Sequence, residues 1–173
     1  MKWIGISGSW RATSEEVERD VRDVVREVIL RGDGIVTGGA LNVDYFATDE
    51  ALKYDSVAKQ IKVFIPTTLE RYAAHYRKRA GEGVITLTQA EQLIAQLTEL
   101  KRRNTAALVE QVTNEVVDTS TYYQRNSDVV DASDELAAFQ VNDSKGTQDT
   151  IDKARAQGKK VFLRQYSIPQ PSI

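Results

Sequence analysis

Apolar positions along this chain follow two rhythms: short unbroken runs, and longer stretches in which they return every three or four residues. Residues 2–7 form a short apolar run ending in Ser-Gly, the mark of a buried strand. Thr13-Ser14-Glu15-Glu16 then predicts a helix start, with Thr13 and Glu16 as a capping box. Val17, Val21, Val24, Val25, Val28 and Ile29 make one apolar stripe, and Gly32 stands where a helix-terminating glycine belongs. Ile35-Val36 predicts a second strand, residues 44–59 a helix, and residues 62–65 a third strand stopped by Pro66. A middle region follows with a Tyr- and Arg-rich helix over 69–80. After it comes a helix opening on a second capping box, Thr88 to Glu91, with Leu93, Ile94, Leu97 and Leu100 inward. A helical stretch over 122–132 leads into a fourth strand at 136–141. A helix over 147–157, the turn residue Gly158 and a strand at 160–163 complete the pattern.

Strands alternating with helices imply parallel pairing, because parallel neighbours need a crossover of about a dozen residues. The fold class predicted is α/β: a Rossmann-like, doubly wound, mostly parallel sheet of about five or more strands with helices on both faces. No internal repeat or linker interrupts the order. A single domain over 1–166 is therefore expected, with 167–173, which holds two prolines, as a C-terminal tail.

The 173 residues are those of one ordinary domain, and 41% hydrophobic with 28% charged is the balance of a soluble globular chain. No apolar run approaches the ~20 residues that span a bilayer, and residues 1–6 read as a strand, not a signal peptide. Cysteine is absent, which removes disulfides, thiolate metal sites and cysteine nucleophiles and fits a cytoplasmic setting. The single histidine, His75, excludes a His-rich metal site and weighs against a serine–histidine triad; no metal is expected. A net charge of −2 argues against a generally basic nucleic-acid binder.

In such sheets ligands bind beyond the carboxyl ends of the strands, and small polar residues collect there. Ser7, Gly8, Ser9 and Arg11 follow strand one; Thr37, Gly38, Gly39, Ala40 and Asp44 follow strand two; Lys145, Gly146 and Thr147 follow strand four. Glycine lets the backbone approach an anion and take positive φ, and the helix that follows adds unpaired N–H groups and a positive dipole end. Arg11 and Lys145 supply charge. The alternative for each loop alone is an ordinary tight turn; three on one edge favour a phosphate-binding pocket. No loop matches G-x-G-x-x-G or G-x-x-x-x-G-K-[ST], so the standard dinucleotide and P-loop classes are excluded.

Tyr72, His75, Tyr76 and Arg79 share one helical face. They read as a lid, with Tyr72, Tyr76 and Arg79 over a ligand, or as a solvated helix packing two tyrosines on the sheet. Arg125 and Asn126, shortly before strand four, are placed to orient a ligand or a neighbouring loop. Asp44 is most simply a helix cap, and otherwise a partner for a ribose hydroxyl or a metal-bridged phosphate.

The sequence resembles the SLOG superfamily, which joins the DNA-processing protein A domain and the Lonely Guy enzymes. The likeness rests on Ile6-Ser7-Gly8-Ser9, Val36-Thr37-Gly38-Gly39-Ala40 with Asp44, and Gly146-Thr147. The resemblance implies a Rossmann-like sheet with phosphate held at Ser9, Gly38, Gly39, Gly146 and Thr147, and a homodimer. Against the Lonely Guy P-G-G-x-G-T-x-x-E signature, only Gly146-Thr147 match and Thr150 stands in the glutamate's place.

Three readings follow. The first is a cytoplasmic sensor or carrier of a nucleotide or nucleotide-derived phosphorylated ligand. The second is a nucleoside monophosphate N-glycosidic hydrolase with Asp149 or Asp44 as the catalytic carboxylate. The third is a single-stranded DNA-binding module using Arg71, Arg77, Lys78, Arg79, Lys101, Arg102 and Arg103.

Overall fold

A computed structural model describes residues 1–169. Of the expected tail, residues 170–173 lie outside the described residues. The order is β1 (Trp3–Gly8), α1 (Glu15–Leu30), β2 (Gly34–Thr37), α2 (Val43–Tyr54), β3 (Ile61–Ile65), α3 (Leu69–Gly81) and α4 (Leu87–Arg103). Then follow a 3-10 turn (Thr105–Ala107), β4 (Leu108–Glu110), α5 (Thr119–Asp131), β5 (Glu135–Val141), α6 (Lys145–Ala156) and β6 (Lys160–Tyr166).

The six strands form one all-parallel sheet in the order β4-β3-β2-β1-β5-β6. The chain builds outward from β1 through β2 and β3 to β4, then jumps back so that β5 pairs with the other side of β1. Right-handed crossovers in opposite directions put helices on opposite faces. Accordingly Ala137, Phe139 and Val141 of β5 join the core beneath α1, α2 and α4. Leu136 and Ala138, pointing the other way, pack with Val130 of α5 and Ile151 and Ala154 of α6. The winding direction reverses between β1 and β5, where the two strand ends leave an open crevice.

The α/β doubly wound sheet is as expected, with local differences that have physical causes. Ser14, not Thr13, caps α1: its Oγ accepts from Val17 N at 3.3 Å, while Thr13 Oγ1 is buried with no hydrogen-bond partner. On α4 the capping box is Thr86 with Gln89, two residues before the expected pair, and Glu91 instead takes Arg77 at 2.8 Å. The α2 helix ends at Tyr54, short of 59, because Asp55 turns to accept Gln60 N at 2.6 Å and Ala58 adopts φ 55°. The β4 strand, three residues at the sheet edge, is too short to show a pattern in the sequence.

The seam between α1 and α2 is electrostatic as well as apolar. Glu50, 2% exposed, meets Arg22 at 3.2 Å, Arg26 at 3.0 Å and Lys53 at 3.0 Å. Burial alone would raise its pKa, but hydrogen bonds from Lys53, Arg26 and Arg22 outweigh that and hold it below the ordinary 4.5. A carboxyl with a depressed folded pKa stabilises fully above its unfolded value and loses that contribution as pH falls through the folded one. Glu50→Gln is therefore expected to cost about 1–2 kcal/mol at pH 7 and progressively less below pH ~4.5. Urea denaturation at both pH values measures this. The cost stays moderate because Arg26 and Lys53 remain solvated when the carboxylate is lost.

Candidate functional site

The crevice between the ends of β1 and β5 is a cavity of about 350 Å³. Each loop at its edge is held by its own hydrogen bonds, and these decide which atoms remain for a ligand.

After β1, Gly8 is required by packing, since a Cβ there would stand 2.5 Å from Val43 at the start of α2. Ser9 is buried and does not line the cavity. Its Oγ accepts from Val141 N at 3.0 Å and donates to Val141 O at 3.2 Å, stapling the end of β1 to the end of β5. Ser7, Gly8, Trp10 and Arg11 do line it. The Arg11 guanidinium lies 4.8 Å from the Trp10 ring centroid, and Asn42 Nδ2 donates to Trp10 O, tying this loop to the next.

The Thr37-Gly38-Gly39-Ala40 loop has little left to offer an external anion. Gly39 N donates to Thr37 Oγ1 at 3.3 Å and Ala40 N donates to Asp44 Oδ2 at 3.1 Å, and the Gly38 amide also favours the charged form of Asp44. The loop is an anion nest filled by the protein's own carboxylate. Asp44 is not the helix cap expected of it: Asn42 holds the cap position, without a side-chain capping bond, and Asp44 lies within the first turn of α2, where its carboxylate reaches back to Ala40 N. Gly38, Ala40 and Asp44 border the cavity, whereas Gly39 faces inward. At φ 65°, its Cβ would lie 2.8 Å from Ile65 and 2.9 Å from Val63.

Arg125 of α5 lies against this loop. It is 8% exposed, donates from Nη1 to Gly38 O and from Nε to Asn126 Oδ1 at 3.2 Å, and stacks 5.4 Å from the Tyr122 ring centroid. Burial opposes its charge, but Tyr72, Asp44, Tyr122 and Tyr76 more than offset that and keep its pKa raised. Burial likewise pushes the Asp44 carboxyl above the ordinary range, opposed by Arg125 and by the Ala40 and Gly38 amides. A guanidinium has five donors, so Arg125 has more N–H groups than these two protein acceptors use, and it borders the cavity.

On the far side, Ser144 caps α6, and Gly146 and Thr147 border the cavity at the first turn of that helix. Lys145 is exposed and does not line it. Asp149 lies outside the lining too, accepting from Lys153 Nζ at 2.8 Å and Asn126 Nδ2 at 3.1 Å. Of the two carboxylates considered for hydrolysis, then, one is off the cavity and the other is engaged by loop amides.

Three of the four residues on the α3 face reach the crevice. His75, Tyr76 and Arg79 line the cavity, while Tyr72 sits beneath it, 1% exposed, donating to Gly39 O at 3.0 Å. The Tyr72 and Tyr76 hydroxyls are 3.3 Å apart, and Tyr122 OH is 3.2 Å from His75 Nε2. Burial, then Arg79 and Lys78, lower the His75 pKa, favouring the neutral ring at pH 7. Burial raises Tyr72, Tyr76 and Tyr122, so all three stay phenols. Trp10, Tyr122, Tyr123 and the aliphatic pair Val84-Ile85 complete an aromatic and apolar wall. Position in the fold, not a local motif, brings these last residues to the site.

The cations proposed for a separate DNA-binding surface are largely paired. Arg77 meets Glu91, Lys101 meets Glu110 at 2.9 Å, Arg102 and Arg103 share Glu99, and Arg79 meets Glu82 at 3.1 Å. Among the described residues no helix is long and apolar enough to cross a membrane.

This sheet order and switch-point crevice define a Rossmann-like α/β fold. The chain is similar to DNA processing protein A from Helicobacter pylori, described for its single-stranded DNA binding, at TM-score 0.67 and 20% identity over 98% of this chain and 66% of that one. It is also similar to DNA processing protein A from Streptococcus pneumoniae, at TM-score 0.62 and 18% identity over 98% of this chain and 51% of that one. A third likeness is to TM1055, at TM-score 0.56 and 15% identity over 93% of this chain and 72% of that one. The chain thus spans about two thirds and one half of the two DNA processing proteins. No family model and no curated protein matches the sequence.

Proposed function

We propose that the protein binds a nucleotide or nucleotide-derived phosphorylated ligand in the β1/β5 crevice, acting as a sensor or carrier. The observation that carries this reading is the joint placement of buried Arg125, Arg11 and the first turn of α6 on a cavity walled by Trp10, Tyr76 and Tyr122. Cationic and helix-terminal donors suit a phosphate, and the aromatic wall suits a base. Because Asp44 fills the loop after β2, the phosphate is assigned to the α6 start and Arg11, with Arg125 behind it.

Gly146→Asp tests this assignment. A Cβ at Gly146 meets nothing within 4 Å, and an acidic residue in the first turn favours a helix, so the fold is expected to persist. Calorimetric titration with adenosine monophosphate is expected to show affinity at least about tenfold weaker than for the unaltered protein, with melting unchanged. Failure of the unaltered protein to bind any mono-, di- or triphosphate nucleoside would retire the reading.

A second reading is favoured by the fold shared with DNA processing protein A and by half-exposed Trp10 and Tyr123 beside Arg11 at the cavity mouth. In it, a single strand lays a base into the cavity and its backbone along the rim. Oligodeoxythymidine binding that weakens steeply with salt would favour this reading, and a flat response would exclude it.

A further inference from the structure

The turn that delivers α6 to the cavity is held from outside by the segment after β6. Asn142 and Asp143 both adopt left-handed backbone, φ 51° and 54°, and Ser144 N donates to Val141 O at 3.1 Å across them. Two successive positive φ values closed by such a bond make a type I′ turn, in which Asn is tolerated and most residues are strained. The Asn142 side chain is not spent inside this turn. Its Nδ2 donates to Ile168 O at 2.9 Å and its Oδ1 accepts from Ile168 N at 2.8 Å, while its own N–H donates to Tyr166 O at 2.9 Å. Ile168 in turn packs against the main core, which fixes the segment. The preceding residue, Val141, is stapled by Ser9 to the β1 loop. The turn is therefore gripped on one side by the first site loop and on the other by the chain after β6.

We propose that Asn142 is a positioning residue of the ligand site: its paired amide bonds to Ile168 clamp the turn that sets where the start of α6, with Gly146, presents its N–H groups. The proposal rests on the assignment of phosphate to the start of α6. It also means that displacement of residue 168 would be felt in the cavity through the Asn142 side chain.

Asn142→Gly keeps the left-handed turn while removing both side-chain bonds. Ile168→Pro removes the donor from the opposite partner and leaves Asn142 in place. Each variant is expected to weaken adenosine monophosphate binding by about tenfold, and the double variant by little more than either alone, because the two act on one contact. Amide hydrogen exchange at Ser144 and Gln148, whose N–H groups donate to Val141 O at 3.1 Å and Ser144 O at 3.0 Å, measured without nucleotide, is expected to speed up by about tenfold in both variants. Unchanged exchange overturns the clamp whether or not nucleotide binds. Faster exchange in the variants together with an unaltered protein that binds no nucleotide leaves the clamp standing and overturns the ligand reading instead. Faster exchange with unchanged affinity in a binding protein reduces Asn142 to a stabilising role and overturns the positioning claim.

Discussion

Replacing Arg125 by methionine is expected to remove about 3–5 kcal/mol of folding stability at pH 7–8 and to abolish nucleotide binding. Methionine fills much of the volume, so the loss comes from charge and hydrogen bonding. Gly38 O and Asn126 Oδ1 lose their donor, and Asp44 keeps a buried carboxylate without its compensating cation. Deprived of Arg125, Asp44 is expected to titrate well above its unfolded value. A group with a raised folded pKa stabilises below the unfolded pKa and loses that contribution as pH rises through the folded one. The variant should accordingly be less impaired at pH 5 than at pH 8, and Asp44→Asn in the same chain should recover part of the deficit. Guanidinium denaturation of the single and double variants at the two pH values measures both effects. Arg125→Lys is expected to rescue poorly, since a point charge cannot serve Gly38, Asn126 and a ligand at once.

The second large effect separates two glycines that look alike in the sequence. Gly39→Ala is expected to cost about 3 kcal/mol, one part from forcing a non-glycine residue to φ 65° and the rest from pressing a methyl onto Ile65 and Val63. Gly146→Ala, in open space inside a helix, should be neutral or stabilising by about 0.5–1 kcal/mol. Thermal melting of the pair distinguishes them. Equal losses would mean that Gly146 is also a packing glycine and would remove the phosphate assignment with it. The consequence for the site is direct: a change at Gly39 reports on the fold beneath the loop, and a change at Gly146 reports on the ligand.

Most of the fold was legible because its elements are strongly periodic. The valine stripe of α1 buries one face and the unbroken apolar run of β5 buries both, and the alternation of strand and helix forces parallel pairing. What escaped was short or degenerate. Three residues at the sheet edge, Leu108–Glu110, carry too little pattern to announce β4. Thr13-Ser14 offers two adjacent hydroxyls for one cap, and Thr86-Gln89 competes with Thr88-Glu91; the choice depends on where tertiary packing starts the helix. In the site, the glycine-rich loops and the α3 face could be located because they obey spacing rules. That Arg125 reaches Gly38 across 87 positions is set by the approach of α5 to the sheet edge, and no local pattern encodes that contact.

The carboxylate in the second loop bears on how a ligand would arrive. A loop whose N–H groups converge on empty space must be ordered by its guest, and the guest's affinity is diminished by that ordering. Here Asp44 plays the guest permanently, and the loop with Arg125 behind it is already in its final shape. Entry into such a cavity resembles a key meeting a finished lock: association should be fast and close to single-exponential, without the slow phase of a protein that closes around its ligand.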